Sequence, residues 1–338
     1  METTLQITNL KNLISRFSNM KKFYILIFGI ISLITFSNVY SQSCCGGSFY
    51  DLAVLSLDKK ALFNAGFNFD NNLGTWDQEG KWQKTSNTSW QMRPAISGAY
   101  RFNNNIQAGL TIPYIVNRNE IPGLIPNGSG IGDITLSGRY EFFHEYQRFK
   151  TGERYKIDTK KPYLALTAGI VIPTGRSDET ALTEAEVTGK GFYSTQLGMS
   201  FMKSVVQNKF QVAVDLSWMH SFKKSFDMSY GVPQSAQTSQ QGERFNYGLS
   251  LIYLLNYWNA ASVSFGGYSQ GSYKLNGDVW DGTNQNAMSF SASYSYYPNL
   301  DFRITPSIKW IFPSDNFGTN TTGSMTYVLN VVYYLERF

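Results

Sequence analysis

Few residues in this sequence are of the kinds that carry out reactions. There are two histidines, His144 and His220, and two cysteines, Cys44 and Cys45, in 338 residues. A histidine acts as a general base when a nucleophile and an orienting group lie within hydrogen-bond reach. Glu145 follows His144, but no nucleophile motif accompanies either histidine. Both stand near the ends of strand-like segments, where an interfacial role is expected. Adjacent cysteines could bind a metal, form a vicinal disulfide or pair with another chain. With no nearby histidine and no second cysteine pair, a metal site is not expected there. Asp178, Glu179, Glu184 and Glu186 crowd one segment without the ligand offsets of a calcium loop, so a solvated acidic loop is expected. The reading is no catalytic residue, no metal and no cofactor.

Charge with a pattern is more informative. Arg93, Arg101, Arg139, Glu141, Asp215, Asp301, Arg303 and Lys309 each occupy the polar position of a segment in which polar and apolar residues alternate. Residues 300–312 show it best. Leu300, Phe302, Ile304, Ile308, Trp310 and Phe312 form one set, and Asp301, Arg303, Thr305, Ser307 and Lys309 the other. Period-two alternation places the sets on opposite faces of a strand. About twelve segments behave this way: residues 61–71, 93–102, 106–114, 134–142, 163–172, 193–202, 210–220, 245–253, 257–267, 287–296, 300–312 and 325–338. Each is near the ~9–11 residues that a tilted strand needs to cross a bilayer. Their connections alternate in length, with tight ones at 103–105, 205–208, 255–256 and 298–299. Long ones fall at 72–90, 115–131, 173–190, 223–242 and 269–285, and 147–160 is the exception. Long loops on one side and short turns on the other are a property of outer-membrane barrels. The fold expected is all-β, a transmembrane antiparallel up-and-down barrel of about twelve strands. A soluble sandwich should lack this alternation of lengths.

Composition agrees. There are 24 Phe, 22 Tyr, 7 Trp and 29 Gly, and the mean hydropathy is −0.25. That value excludes a bundle of apolar helices but suits a barrel, which turns only alternate residues to lipid. The net charge is +5, with Lys and Arg scattered, so nucleic acid is not an expected partner. Lys21 and Lys22, the apolar run 23–36 and the small residues Val39 and Ser41 read as a secretory signal. The expected organisation is 1–41 extension and cleaved signal, 42–60 periplasmic segment and 61–338 barrel, with Met20 an alternative start. A terminal aromatic, Phe338, resembles the signal read by the outer-membrane assembly machinery.

Gly130-Ile131-Gly132-Asp133, then Ile172-Pro173-Thr174-Gly175, then Thr188-Gly189-Lys190-Gly191 follow one another, each at the edge of a strand. This succession resembles the MetA-pathway of phenol degradation family, over roughly residues 45–338. The resemblance implies an outer-membrane barrel that moves small, often aromatic or hydrophobic compounds; it carries over no substrate residues. The eight inward charges would line a narrow lumen, with loops 115–131 and 173–190 selecting the solute. The expected partners are a small-molecule solute and outer-membrane lipid. Two other readings stay open. An outer-membrane lipase or protease would need His144 or His220 as its base. A structural or adhesive barrel would bind through its loops and have Arg101, Arg139, Arg303 and Lys309 paired to carboxylates.

Overall fold

The computed structural model describes residues 55, 59–84, 89–119, 127–142, 149–151, 154–156, 162–206, 209–256 and 258–337. The segment 1–41 read as an extension and secretory signal, Cys44, Cys45, His144 and Phe338 lie outside the described residues. Twelve long strands carry the fold: β1 (Lys59–Trp76), β2 (Ser89–Arg101), β3 (Ile106–Asn119), β4 (Ile134–Glu141), β5 (Tyr163–Ile172) and β6 (Ser194–Val206) come first. They are followed by β7 (Phe210–Ser221), β8 (Arg244–Asn256), β9 (Asn259–Gln270), β10 (Gln285–Tyr296), β11 (Phe302–Ile311) and β12 (Thr322–Arg337). Each pairs antiparallel with its sequence neighbours, and β1 pairs with β12 from Lys59 opposite Arg337 to Thr75 opposite Thr322. The sheet therefore closes on itself, and the main wall has no unpaired edge.

Burial identifies the solvent on each face. Phe63, Ile96, Ile170 and Leu197 are about half exposed, at 51%, 51%, 49% and 54%. Their polar neighbours on the alternate positions, Ser97, Arg101, Gln107, Thr135 and Gln196, are buried. A soluble sandwich would hide the first set and expose the second. A closed sheet that does the reverse needs hydrocarbon around it. Aromatic pairs mark the two rims of the apolar band. Tyr100 with Phe102, Tyr140 with Phe142 and Phe302 with Tyr333 lie at the short-turn end. Trp218, His220 and Phe222 stack at the long-loop end, as do Trp310 and Phe312. Such girdles belong at membrane interfaces.

Asparagine side chains build three of the short turns. Asn103 Oδ1 accepts from the amides of Asn105 and Ile106, both at 2.9 Å. Asn299 Oδ1 accepts from Asp301 and Phe302, and Asn256 Oδ1 from Trp258. The carboxamide replaces a backbone carbonyl and fixes a tight reversal. At the other end, strands run past the apolar band. Asn127–Ile131 pairs with the end of β3, and Trp82–Lys84 with the end of β1. Lys224–Ser229, Val232–Gln240, Lys274–Leu275 and Asp278–Val279 make a separate four-stranded sheet. These stretches read from sequence as plain loops, because alternation facing water on both sides carries no hydrophobic signal. The long connection at the short-turn end also contains a strand pair, Phe149–Thr151 with Arg154–Lys156.

Of the twelve expected segments only residues 163–172 keep both bounds, and the others shift by one to five residues at one end or both. β1 begins at Lys59 rather than Ala61. β11 begins at Phe302, with Leu300 and Asp301 in the preceding bend. The Leu300 carbonyl accepts from Lys59 Nζ at 2.7 Å.

Candidate functional site: the barrel lumen

At the short-turn end a buried polar network lies on the inner wall. Glu141, fully buried at the end of β4, is the centre of the packing. Its carboxylate accepts from Arg101 Nη1, from Gln107 Nε2 at 2.9 Å and from Tyr163 Oη at 2.9 Å. Arg139 donates to the same phenol oxygen at 2.8 Å and reaches Thr167 and Ser200 at 3.2 and 3.3 Å. Ser200 in turn donates to Asp215 at 2.6 Å. One chain of polar contacts thus crosses from β2 to β7. Charges at this depth persist because each is held by an opposite charge or a directed donor. Gln107 Oε1 also accepts from the amide of Leu55, ahead of β1, at 2.9 Å. Leu55 is 1% exposed and packs with Leu62, Ala99, Val332 and Tyr334, so this residue is stapled to the inner wall. Across the barrel, Ile252, Leu254, Ala260 and Tyr297 form a second buried apolar cluster.

The middle of the lumen is different. Its inner positions are small and polar, and most are partly exposed: Ser264 and Gly266 on β9, Ser289, Ser291 and Ser293 on β10, Ser307 on β11. Hydroxyls pair across strands, Ser250 with Ser264 at 2.8 Å and Ser262 with Ser293 at 2.7 Å. Higher up, Asp70 ties three strands, binding Arg93 of β2 and the hydroxyl of Thr326 of β12.

The long-loop mouth is narrowed from two sides. On one, Trp76, Tyr268, Ala287 and Ile311 form a buried cluster backed by Trp82. The Arg244 guanidinium lies 3.8 Å from the Tyr268 ring centroid. On the other, loop 173–193 lies over the inner wall. The inner face here is fixed by register: Asn117 pairs with Gly128 and Ile115 with Gly130, while the outward Tyr114 pairs with Ile131. Asn117 Nδ2 donates to the carbonyls of Ala185 and Val187 at 3.0 and 2.7 Å. A Cβ on Gly128 would come within 2.1 Å of the Ala185 oxygen, so glycine there lets the loop seat. Asp133 accepts from the amides of Gly175 and Lys190, at 3.1 and 2.8 Å. Thr174 donates to the Gly132 carbonyl at 2.7 Å, and Thr188 to that of Ile131 at 2.8 Å. Burial pushes the Asp133 carboxyl above its usual range, against the pull of those two amides.

These contacts unite the three motifs read along the chain, and the family described as "Putative MetA-pathway of phenol degradation" matches residues 97–327. The chain belongs to this family. No curated protein matches it in sequence. Among solved structures, an outer membrane channel from Pseudomonas putida F1 superposes with a TM-score of 0.66 at 11% identity, covering 86% of this chain and 100% of that one. The β domain of the Bordetella autotransporter BrkA covers 82% of this chain and 100% of its own, with a TM-score of 0.47 and 10% identity. The first likeness shows a shared barrel fold. In this family member the motif glycines serve mostly for close approach. Gly175 and Gly189 are packed against each other, and only Gly191 of the motif has a positive φ, +74°.

The eight charges expected inside are placed as follows. Arg101, Arg139 and Glu141 converge at the short-turn end, and Asp215 joins them through Ser200. Arg93 is neutralised by Asp70. Asp301 lies in the turn before β11, its side chain 41% exposed and 3.8 Å from Lys59 Nζ. Arg303 and Lys309 are half-buried on β11, Arg303 with its guanidinium 5.8 Å from the Tyr334 ring. Sequence reasoning missed Asp70, although it continues the polar series Asn64, Gly66, Asn68 of β1. It also missed Lys59, Gln107, Tyr163 and Arg244. His220 stacks on Trp218 in the outer girdle and binds Glu243 at 2.6 Å. In the acidic loop, Glu179 pairs with Lys224 at 2.5 Å and Glu186 with Arg176 at 3.7 Å.

Proposed function

We propose that this protein is a passive outer-membrane channel for small molecules, aromatic or hydrophobic ones among them. The partly exposed middle of the lumen carries the reading. Small hydroxyl and glycine positions on β9, β10 and β11 leave room where a filled core would bring large side chains together. Two narrower levels bound this chamber, so a solute is selected by size and by charge at each. The family's name and the outer membrane channel from Pseudomonas putida support the same class of activity. Movement is diffusive, and no energy source is implied. Insertion into the membrane falls to the outer-membrane assembly machinery. The outer-membrane enzyme is the weaker reading, since His220 stacks on Trp218 in the outward aromatic girdle.

Single-channel recording in a planar bilayer tests the proposal. Discrete conductance steps, smaller than those of a wide sixteen-stranded porin, are expected. A properly inserted barrel with no steps under any applied voltage would count against it and favour a loop-binding role.

Charge selectivity gives a sharper result. Arg303 and Lys309 stand half-buried on β11, on its polar face. We propose that Arg303 and Lys309 bias the chamber towards anions. A low-dielectric wall focuses the field of even two charges. Reversal potentials in a salt gradient should show anion preference, and the double replacement Arg303→Glu, Lys309→Glu should turn it towards cations. Unchanged reversal potentials in a conducting double mutant would remove these residues from the path.

A further inference from the structure

We infer that Asp133 is the positioning residue that sets the aperture of the long-loop mouth, by holding loop 173–193 on the inner wall. The inference rests on the channel reading for its consequence but not for its geometry. Asp133 sits between Asn127–Ile131 and β4, on the rigid wall. Its two carboxylate oxygens divide the work. Oδ1 takes the amide of Gly175 at the start of the loop, and Oδ2 takes that of Lys190 at its end. One side chain therefore pins both legs of the loop at once, and a loop held at both legs cannot swing as a flap. Thr174 and Thr188 each fasten one leg, through neutral hydroxyls. Charge-assisted bonds are roughly twice as strong as neutral ones. The packing leaves no slack: a Cβ on Gly189 would lie 2.3 Å from Asp133 Oδ1, and one on Gly175 would lie 2.6 Å from the Gly189 Cα. Between the two legs, the loop presses Ala185, 4% exposed, against the wall at Gly128. An amide at position 133 has one acceptor oxygen and would present a donor to the other leg. Asparagine should therefore loosen one leg and alanine both, with the Thr174 and Thr188 bonds still in place.

The test measures seating of the loop directly. In a full-length chain with Cys44 and Cys45 replaced by serine, Ala185→Cys should react slowly with a water-soluble maleimide. Adding Asp133→Ala should speed labelling at least about tenfold, from the loss of two charge-assisted bonds. Asp133→Asn should fall between, and Thr188→Val with Asp133 intact should do less than Asp133→Ala. If Ala185→Cys does not assemble, trypsin cleavage after Arg176 or Lys190 in the otherwise unaltered chain gives the same ranking. Labelling or cleavage unchanged in Asp133→Ala, or equal in Thr188→Val, overturns the inference. Larger conductance steps in Asp133→Ala would support it. Steps of unchanged size in a variant that conducts overturn it as well. If neither wild type nor variant conducts, the channel reading fails while labelling still decides the role of Asp133.

Discussion

Replacing Glu141 with glutamine should cost about 3–5 kcal/mol of barrel stability, the effect of removing one partner from a buried ion pair. The carboxylate is fully buried and holds Arg101, Gln107 and Tyr163 together, with the Arg139 guanidinium 3.9 Å away. Glutamine is nearly isosteric, so packing is kept and the loss is electrostatic. Two guanidinium groups then face an amide that offers a donor of its own. Denaturant unfolding from lipid vesicles, read by the heat-dependent shift in gel mobility that folded barrels show, measures it. The amide oxygen can keep the bonds from Gln107 and Tyr163, which both end on Oε1, and its nitrogen then faces Arg101. A Glu141→Gln, Arg101→Met double variant should recover much of the loss, since taking out both members of a buried pair is often close to neutral. A change under about 1 kcal/mol in the single variant would mean that water reaches the network in the membrane and screens it.

The parts of this fold that were legible are those where one face meets hydrocarbon. Tyr163–Ile172 is read residue for residue, because every second side chain from Leu164 to Ile172 must suit lipid. The closing pair of β1 and β12 follows once twelve such segments alternate in direction. Beyond the apolar band that constraint ends, and so did the reading. Asn127–Ile131 (NGSGI) has the composition of a turn, and only its register with β3 makes it a strand. Inward charges were legible as a face but not as pairs. Asp70 and Arg93 are 23 residues apart, and nothing in alternation says that they meet. Arg101 and Glu141 were likewise legible as inward charges, and their pairing was not. The clamp at the mouth was legible as three motifs and not as one object. Its closure depends on a carboxylate reaching amides 42 and 57 residues away.

The two faces of one strand give the last prediction. Val263 and Ser264 are neighbours on β9. Val263 is 42% exposed on the outer face, opposite Leu251 and Ala292. Ser264 points inward and pairs with the Ser250 hydroxyl. Along β9 the outward series runs Ala261, Val263, Phe265, Gly267, which puts Val263 near the centre of the apolar band. An arginine at this depth meets hydrocarbon on the lipid side, where no partner can solvate it. Val263→Arg should therefore destabilise the barrel by about 2–4 kcal/mol. Ser264→Arg meets the hydrated chamber instead. It loses one neutral hydrogen bond, a net cost of about 1 kcal/mol, and adds a cation to the proposed path. The first variant should lower the denaturant midpoint and leave any conductance unchanged in the molecules that fold. The second should barely move the midpoint and should change conductance or ion selectivity. Equal destabilisation by the two would mean that both faces are buried alike, and the lumen would have to be a packed core. A reversed order would place the bilayer on the wrong side of the wall and sink the assignment of faces on which the whole argument stands.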